Sequence, residues 1–131
     1  MMEIPEPHPL DIPEADYLYV QPSRIPNAGM GLFTAIPLQR GEVIAVFQGE
    51  RLSAAEARRR ADAGADAYFV TLLDGSTLDS KHTDCFAKYA NDVEGPGNSR
   101  MRNNAMITLD DADCPCIVAT RSIKAGAEIR V

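Results

Sequence analysis

The stretch that decides the fold class is Val43-Ile44-Ala45-Val46-Phe47, a nearly continuous apolar run of strand length. Runs of this kind, bounded by turn signals, are typical of strands that are buried on both faces. The turn-forming stretch Leu38-Gln39-Arg40-Gly41-Glu42 comes directly before it. We therefore expect residues 43–47 to form a strand in the protein core.

Short β-prone runs on both sides of this strand predict a mainly β chain. Tyr17–Val20 is closed by Pro22, and Gly31–Ala35 follows the turn-rich segment Pro26-Asn27-Ala28-Gly29. The other expected strands share short length and turn-forming neighbours: residues 68–73 and 77–79 as a hairpin around Asp74-Gly75-Ser76, residues 105–109 and 116–119 around a turn at 110–113, and residues 129–131.

One helix is predicted, and it begins at a capping box. The Ser53 hydroxyl can accept from the Glu56 N–H while the Glu56 carboxylate reaches back to the Ser53 N–H. The helix should run to Asp62, with Gly64 as its stop. Arg58-Arg59-Arg60 cannot share one face, which favours a solvated surface over a phosphate site. Because strands and helices do not alternate, a doubly wound nucleotide-binding sheet is disfavoured.

Length and composition predict one folded domain after a short leading segment. The chain has 131 residues, of which 45% are hydrophobic and 24% charged, as in ordinary globular proteins. Residues 1–15 hold four prolines, so we expect them to be extended or disordered, without a helix. Residues 16–131 are expected to form the domain.

The net charge limits the kinds of partner that the chain is expected to bind. The net charge of −6 argues against direct binding of nucleic acid, because that affinity depends largely on Lys and Arg. An acidic surface permits a basic partner, such as a lysine-rich peptide. No apolar run approaches the roughly 20 residues that span a bilayer, so we expect no membrane contact.

The three cysteines indicate a reducing compartment. Cys85, Cys114 and Cys116 are an odd number, and no secretory signal precedes them, so we expect free thiols in an intracellular protein, cytoplasmic or nuclear. Cys114 and Cys116 are expected to point to the same face of a strand. No further Cys/His cluster completes a metal site, and none is predicted.

Six short motifs follow one another along the chain. They are Ala28-Gly29-Met30-Gly31-Leu32-Phe33, Phe47-Gln48-Gly49-Glu50, Leu78-Asp79, Lys88-Tyr89-Ala90-Asn91, Asn103-Asn104-Ala105 and Ile123-Lys124-Ala125-Gly126-Ala127-Glu128-Ile129. Over residues 17–131 this succession resembles a SET domain, the fold of protein-lysine methyltransferases. That family has a Gly-x-Gly loop, an aromatic-x-Gly-Glu strand end, an Arg-Phe-Ile-Asn-His-Ser segment and an Ile-x-x-Gly-Glu-Glu-Leu turn.

The resemblance implies a SET-type β-clip fold of small curved sheets with a C-terminal pseudoknot. The C-terminal strand would thread beneath the Asn91 segment, and Asn104 would support that knot, unless it is a plain turn asparagine. The same resemblance implies S-adenosylmethionine as cofactor. The residues expected to bind it are Gly29, Met30, Gly31, Tyr89 and Asn91.

The implied reaction is methyl transfer from a sulfonium to the neutral side-chain amine of a lysine in a protein or peptide, histone-like substrates being the family's commonest. Positioning and electrostatics can drive such a displacement. Tyr68 and Phe47 best match the aromatic channel that orients the lysine and excludes water, although Tyr68 could equally be a packed core residue. Phe47 has no hydroxyl, which removes one hydrogen bond to the amine and leaves room for a more methylated product.

Two departures from the family pattern keep alternatives open. Asn91-Asp92 replaces the family's Asn-His pair, and the sequence ends at Val131, two residues before the resemblance would place the last active-site tyrosine. The domain is therefore expected to be C-terminally incomplete, or a homodimer in which a partner helps to complete the substrate groove. The alternatives are an inactive SET domain that binds a cofactor or peptide, and an unrelated small β-rich binding protein.

Overall fold

The computed structural model describes residues 7–72, 74–93 and 101–131, and strands β1–β10 and helices α1 and α2 are numbered in chain order. The elements are β1 (His8–Pro9), α1 (Glu14–Tyr17), β2 (Leu18–Pro22), β3 (Met30–Thr34), β4 (Glu42–Val46), β5 (Glu50–Leu52), α2 (Ala54–Asp62), β6 (Phe69–Thr71), β7 (Thr77–Asp79), a 3₁₀ turn (Ala87–Tyr89), β8 (Ala105–Leu109), β9 (Pro115–Ala119) and β10 (Glu128–Ile129).

The strands form three small sheets, with the orders β1-β4-β9-β8, β10-β3-β2 and β5-β7-β6. All pairs in them are antiparallel except β1 with β4. The mainly β fold class is thus confirmed. Among the described residues, no helix combines the length and the apolar character that crossing a membrane requires.

The predicted central strand lies in the core. β4 pairs with β9, whose five residues are all buried, and Ile44 of β4 has no exposed surface. Leu32 and Phe33 of β3 are equally buried, so the sheets meet over a shared apolar interior. Burying such side chains contributes roughly 1.5–3 kcal/mol each. The strand that leads directly into Phe47 is therefore fixed by packing.

Helix α2 has the predicted bounds, but only half of the predicted capping box. The Ser53 hydroxyl accepts from the Glu56 N–H at 3.2 Å, whereas the Glu56 carboxylate pairs with Arg59 and Arg60. A guanidinium one turn along the helix competes well for that carboxylate. The prediction of the reciprocal bond to Ser53 was wrong.

Arg60 also differs from the solvated arginine that was expected. Its guanidinium donates to Glu50 at 2.9 Å and to the buried carboxylate of Asp79 at 3.0 Å. The interaction with these carboxylates raises the pKa of Arg60. Arg60 therefore ties α2 to the β5-β7-β6 sheet, and its role is structural.

The 68–79 hairpin forms as predicted, with β6 and β7 antiparallel around Asp74-Gly75-Ser76. Asp74 accepts from the Ser76 N–H at 2.9 Å, and Gly75 has a φ of 84°. Hydrogen bonds from Ser76 lower the pKa of Asp74. β7 also pairs with β5, so the hairpin carries Tyr68 alongside the chain that follows Phe47.

The N-terminal segment contains a helical turn where none was expected. α1 begins at Glu14, directly after Pro13, so no proline lies inside the turn and no missing N–H weakens it. The Glu14 carboxylate accepts from the Val46 N–H at 3.1 Å. Residues 1–6 lie outside the described residues, so for them the expectation of an extended or disordered segment stays a prediction.

The expectation that Cys114 and Cys116 share a strand face was wrong. Cys114 lies in the exposed turn before β9, where its N–H donates to the Asp110 carboxylate at 2.9 Å. Cys116 is fully buried in β9, and burial raises the pKa of its thiol to about 11. Cys85 is half-buried, and all three thiols are free.

We expect Glu14→Gln to stabilise the protein at neutral pH. Burial raises the pKa of Glu14 above its ordinary value of 4.5, so the folded state disfavours the charged form. Stability is therefore lost as the pH rises from the ordinary pKa through the raised pKa of the folded state. Glutamine can still accept from Val46. The melting temperature should rise by about 1–3 °C at pH 7 and match wild type below pH 4.

The exposed Asp16 on the same helical turn provides the control, since Asp16→Asn should leave the melting temperature unchanged at both pH values. A Glu14→Gln variant less stable than wild type at pH 7 would contradict the argument from burial.

Candidate functional site

The glycine loop at the start of β3 is shaped by two different requirements. Gly29 has a φ of 73°, a conformation that other residues adopt with strain. Gly31 is buried, and a Cβ there would collide with the Glu128 carboxylate and lie 3.2 Å from the Cα of Ser23. Met30 between them is 46% exposed. The loop thus presents Met30 while Gly31 permits close packing beneath it.

Glu128 supports this loop from below. Its side chain is buried and accepts from the Ser23 hydroxyl at 2.6 Å and from the Arg24 N–H at 2.9 Å. The Ser23 N–H in turn donates to the Gly29 carbonyl at 2.8 Å. A buried carboxylate is costly unless it is hydrogen-bonded, so these bonds fix the loop relative to β10. Sequence reasoning assigned Glu128 no role beyond its motif.

Asn91 links the glycine loop to the C-terminal end. Its amide nitrogen donates to the Met30 carbonyl at 2.9 Å. Its own carbonyl accepts from the Val131 N–H at 2.8 Å, and its backbone forms a parallel bridge with Arg130. One residue therefore positions both the loop and the last strand.

Asn104 holds the C-terminal strand from the side opposite Asn91. A plain turn asparagine, the alternative considered from the sequence, would not make these contacts. Asn104 is buried, its amide nitrogen donates to the Glu128 carbonyl, and its amide oxygen accepts from the Arg130 N–H, both at 2.9 Å. The C-terminal strand thus lies between the two ends of segment 91–104, as a pseudoknot requires. Residues 94–100 of that segment lie outside the described residues.

Asp92, which stands where the family has histidine, takes part in this segment. Its carboxylate accepts from the Asn103 amide at 3.1 Å, and the Asn103 oxygen accepts from the Val93 N–H at 3.2 Å. The Asp92 carboxylate, in place of the family's imidazole, therefore accepts a local hydrogen bond that stabilises the turn after Asn91.

We expect Asn104→Ala to cost about 2–4 kcal/mol of unfolding free energy, because it leaves the buried Glu128 carbonyl and the Arg130 N–H without their partner. Urea unfolding measures the loss. Asn103→Ala, which removes a neighbouring but less buried amide, serves as control and should cost less than half as much. Equal costs would show that Asn104 has no special part in holding the strand.

A cavity of about 220 Å³ opens beside the glycine loop. It is lined by Ala28, Gly29, Met30, Tyr68, Lys88, Tyr89 and Asn91. Four of the five residues predicted to bind a cofactor thus meet at one place. Gly31 does not line the cavity, because it packs against Glu128. We call this space the glycine-loop cavity.

A second cavity, of about 140 Å³, is lined by apolar side chains together with Lys88 and Tyr68, and polar atoms also reach its surface. Its lining includes Phe47, Tyr68, Phe69, Ile107 and Val131. The two predicted channel residues, Phe47 and Tyr68, are therefore brought together. Tyr68 is half-buried just before β6 and, like Lys88, also lines the glycine-loop cavity, so the two spaces adjoin at these residues. We call the second space the channel cavity.

Lys88 contacts the rings of both Tyr68 and Tyr89, and the sequence analysis gave it no role. Its ammonium is 5.5 Å from the Tyr68 ring centre and 5.4 Å from that of Tyr89. It also donates to the carbonyls of Ser80 at 3.3 Å and Thr83 at 3.0 Å. Cation–π contacts and two hydrogen bonds thus hold both rings in place. The signal in the sequence was a basic residue directly before the aromatic one, as in the family segment.

Comparison with known proteins identifies the family. Residues 29–131 match the family model of the SET domain, which is most of the chain. The chain belongs to the SET domain family. Within residues 7–72, 74–93 and 101–131, no group of three or more His, Cys, Asp or Glu side chains is placed to hold a metal ion.

Two relatives match parts of this SET domain. It is 32% identical over 76 residues to the histone-lysine N-methyltransferase SETD7 of Halocynthia roretzi, covering 58% of this chain and 18% of that protein. It is also 34% identical over 113 residues to a phosphoribosyl imidazole-carboxamide isomerase of Methanoregula boonei, covering 77% of this chain and 48% of that protein. The chain thus spans less than half of either relative, and of the two only the first is named as a lysine methyltransferase.

Solved structures share the fold. The SET domain superposes on ctPRC2 in an autoinhibited conformation bound to S-adenosylmethionine, with a TM-score of 0.72 and 24% identity over 87% of this chain and 14% of that one. An inhibitor-bound, humanized mutant of Polycomb Repressive Complex 2 from Chaetomium thermophilum gives a TM-score of 0.73, with 24% identity over 86% of this chain and 14% of that one.

Proposed function

We propose that this SET domain transfers a methyl group from S-adenosylmethionine to the side-chain amine of a lysine in a protein or peptide. The observation that carries the proposal is the pair of adjoining cavities that share Tyr68. One cavity has the loop and asparagine that the family uses for its cofactor, and the other has the aromatic walls of a lysine channel.

The residues of the glycine-loop cavity fit this cofactor. Met30 is exposed on a loop whose glycines leave its backbone accessible, and the Asn91 amide holds the loop. Tyr68 and Tyr89 add aromatic surface to this cavity, beside which the sulfonium of the cofactor would lie. When bound, S-adenosylmethionine supplies an electrophilic methyl group on that sulfonium.

The channel residues would prepare the amine. Phe47 is buried and Ile107 and Val131 add apolar surface, so a lysine side chain entering this cavity loses water. Desolvation favours the neutral amine, which is the nucleophile that methyl transfer needs. The proton that the ammonium loses before transfer passes to solvent. Tyr68 would orient the amine with its hydroxyl.

The net charge of −6 supports a basic substrate, for which histone-like peptides are the first choice. Completion of the groove by a second copy remains a prediction, and Ile107, 43% exposed at the rim of the channel cavity, is the apolar residue it would use.

Calorimetric titration with S-adenosylmethionine tests the cofactor site. We expect saturable binding by wild type. Asn91→Ala should bind at least about ten-fold more weakly, a loss of about 1.4 kcal/mol in binding free energy, because the Met30 carbonyl loses its hydrogen-bond donor. Asn103→Ala should bind like wild type because its bonds reach Asp92 and Val93 instead. A folded wild-type chain that does not bind would refute the cofactor assignment.

Mass spectrometry of a histone-tail peptide incubated with protein and S-adenosylmethionine tests the transfer. We expect wild type to produce methylated lysine. Tyr68→Phe should lower the rate at least about ten-fold, because a hydrogen bond to a group that becomes charged is worth about 1.5–3 kcal/mol. Phe47→Tyr should shift the product toward monomethyllysine.

Tyr19→Phe is the matched control, because Tyr19 stacks on Phe33 away from both cavities. Cofactor binding without any methylated product would favour the inactive SET domain that binds its ligands without transfer.

A further inference from the structure

A third cavity, of about 580 Å³, lies on the other side of Lys88 and Tyr89 from the glycine loop. Its volume falls within the range of about 300–1,000 Å³ that small-molecule sites occupy. Val20 of β2, Val46 of β4 and Phe86 form apolar walls. It shares only Lys88 with the channel cavity, so it is a separate space.

Two carboxylates line this cavity, those of Glu14 and Asp84. Glu14 is half-buried, and its only protein partner recorded in the described parts of the chain is the Val46 N–H. Within residues 7–72, 74–93 and 101–131, neither carboxylate forms an ion pair. A half-buried carboxylate such as that of Glu14 is costly without a counter-charge, and the exposed Asp84 adds a second negative charge at the same cavity, so a cation entering here would be favoured.

Lys88, the cation among the described lining residues, does not fill this role. Lys88 directs its ammonium to the carbonyls of Ser80 and Thr83 and lies over the rings of Tyr68 and Tyr89. Two of its three donors and its aromatic contacts are thereby engaged with groups other than Glu14 and Asp84. The cavity therefore combines apolar walls with two carboxylates that have no ion-pair partner among the described residues.

We propose that this cavity binds an organic cation with an aliphatic body, either the side chain of a lysine or arginine in a partner protein or a free alkylammonium compound. The aliphatic part would contact Val20, Val46 and Phe86, while the cationic head would pair with Glu14 and Asp84. The inference does not depend on methyl transfer.

Cys85 provides a built-in reporter, because its half-buried thiol also lines the cavity. We would measure iodoacetamide labelling of each cysteine by peptide mapping, at increasing n-pentylammonium. Labelling of Cys85 should slow saturably, whereas the exposed Cys114 outside the cavity should label at a constant rate and serve as internal control. Neutral n-pentanol should protect Cys85 at least about five-fold less effectively, the equivalent of one exposed charge pair.

The double variant Glu14→Gln with Asp84→Asn should raise the half-protecting concentration of n-pentylammonium at least about five-fold and remove its advantage over n-pentanol. The pair Asp16→Asn with Asp111→Asn, two exposed acids outside the cavity, removes the same charge and should leave protection unchanged. Equal protection by n-pentanol in wild type, equal losses in both double variants, or no saturable protection of Cys85 would each overturn the proposal.

A lysine pentapeptide distinguishes the two sources of the cation. Protection of Cys85 by Gly-Gly-Lys-Gly-Gly at lower concentration than n-pentylammonium assigns the cavity to a basic partner protein. Protection by n-pentylammonium alone assigns it to a small molecule, since the peptide backbone then hinders entry.

Discussion

The hydrogen bonds around the last strand are the constraint on which the rest of the site depends. Asn104 binds both the Glu128 carbonyl and the Arg130 N–H, and Asn91 accepts from Val131 while its side chain donates to Met30. If the strand moved, several buried polar groups would lose partners together, at about 1–3 kcal/mol each. The glycine loop, the Asn91 turn and the C-terminus therefore keep one relative position.

Elements whose signals are local could be predicted from the sequence. Ser53, Gly64 and the intervening alanines define α2, and Asp74-Gly75-Ser76 defines the hairpin, because caps and turns require particular residues at particular offsets. The helical turn at Glu14 was missed because it depends on a partner far along the chain, the N–H of Val46. Such contacts leave no periodic pattern in the sequence.

The site could be predicted only where a family motif marks it. Met30, Tyr89 and Asn91 lie together as the motif order implied, although 59 to 61 positions separate Met30 from the other two. Gly31 was predicted to bind the cofactor by the same motif, but it packs against Glu128 and does not line the cavity. Lys88 was passed over because a lone lysine usually indicates a solvated surface, and nothing local shows that two rings enclose it.

The position of Lys88 bears on how the proposed reaction would obtain a neutral amine. Lys88 lines the channel cavity, and its ammonium already occupies the faces of Tyr68 and Tyr89. A second ammonium entering that cavity would meet a fixed like charge, which disfavours its charged form in addition to desolvation. The same fixed charge does not oppose a neutral amine. In the proposed methyl transfer, an immobilised cation next to the channel would therefore select the protonation state that can react, without a general base in the lining.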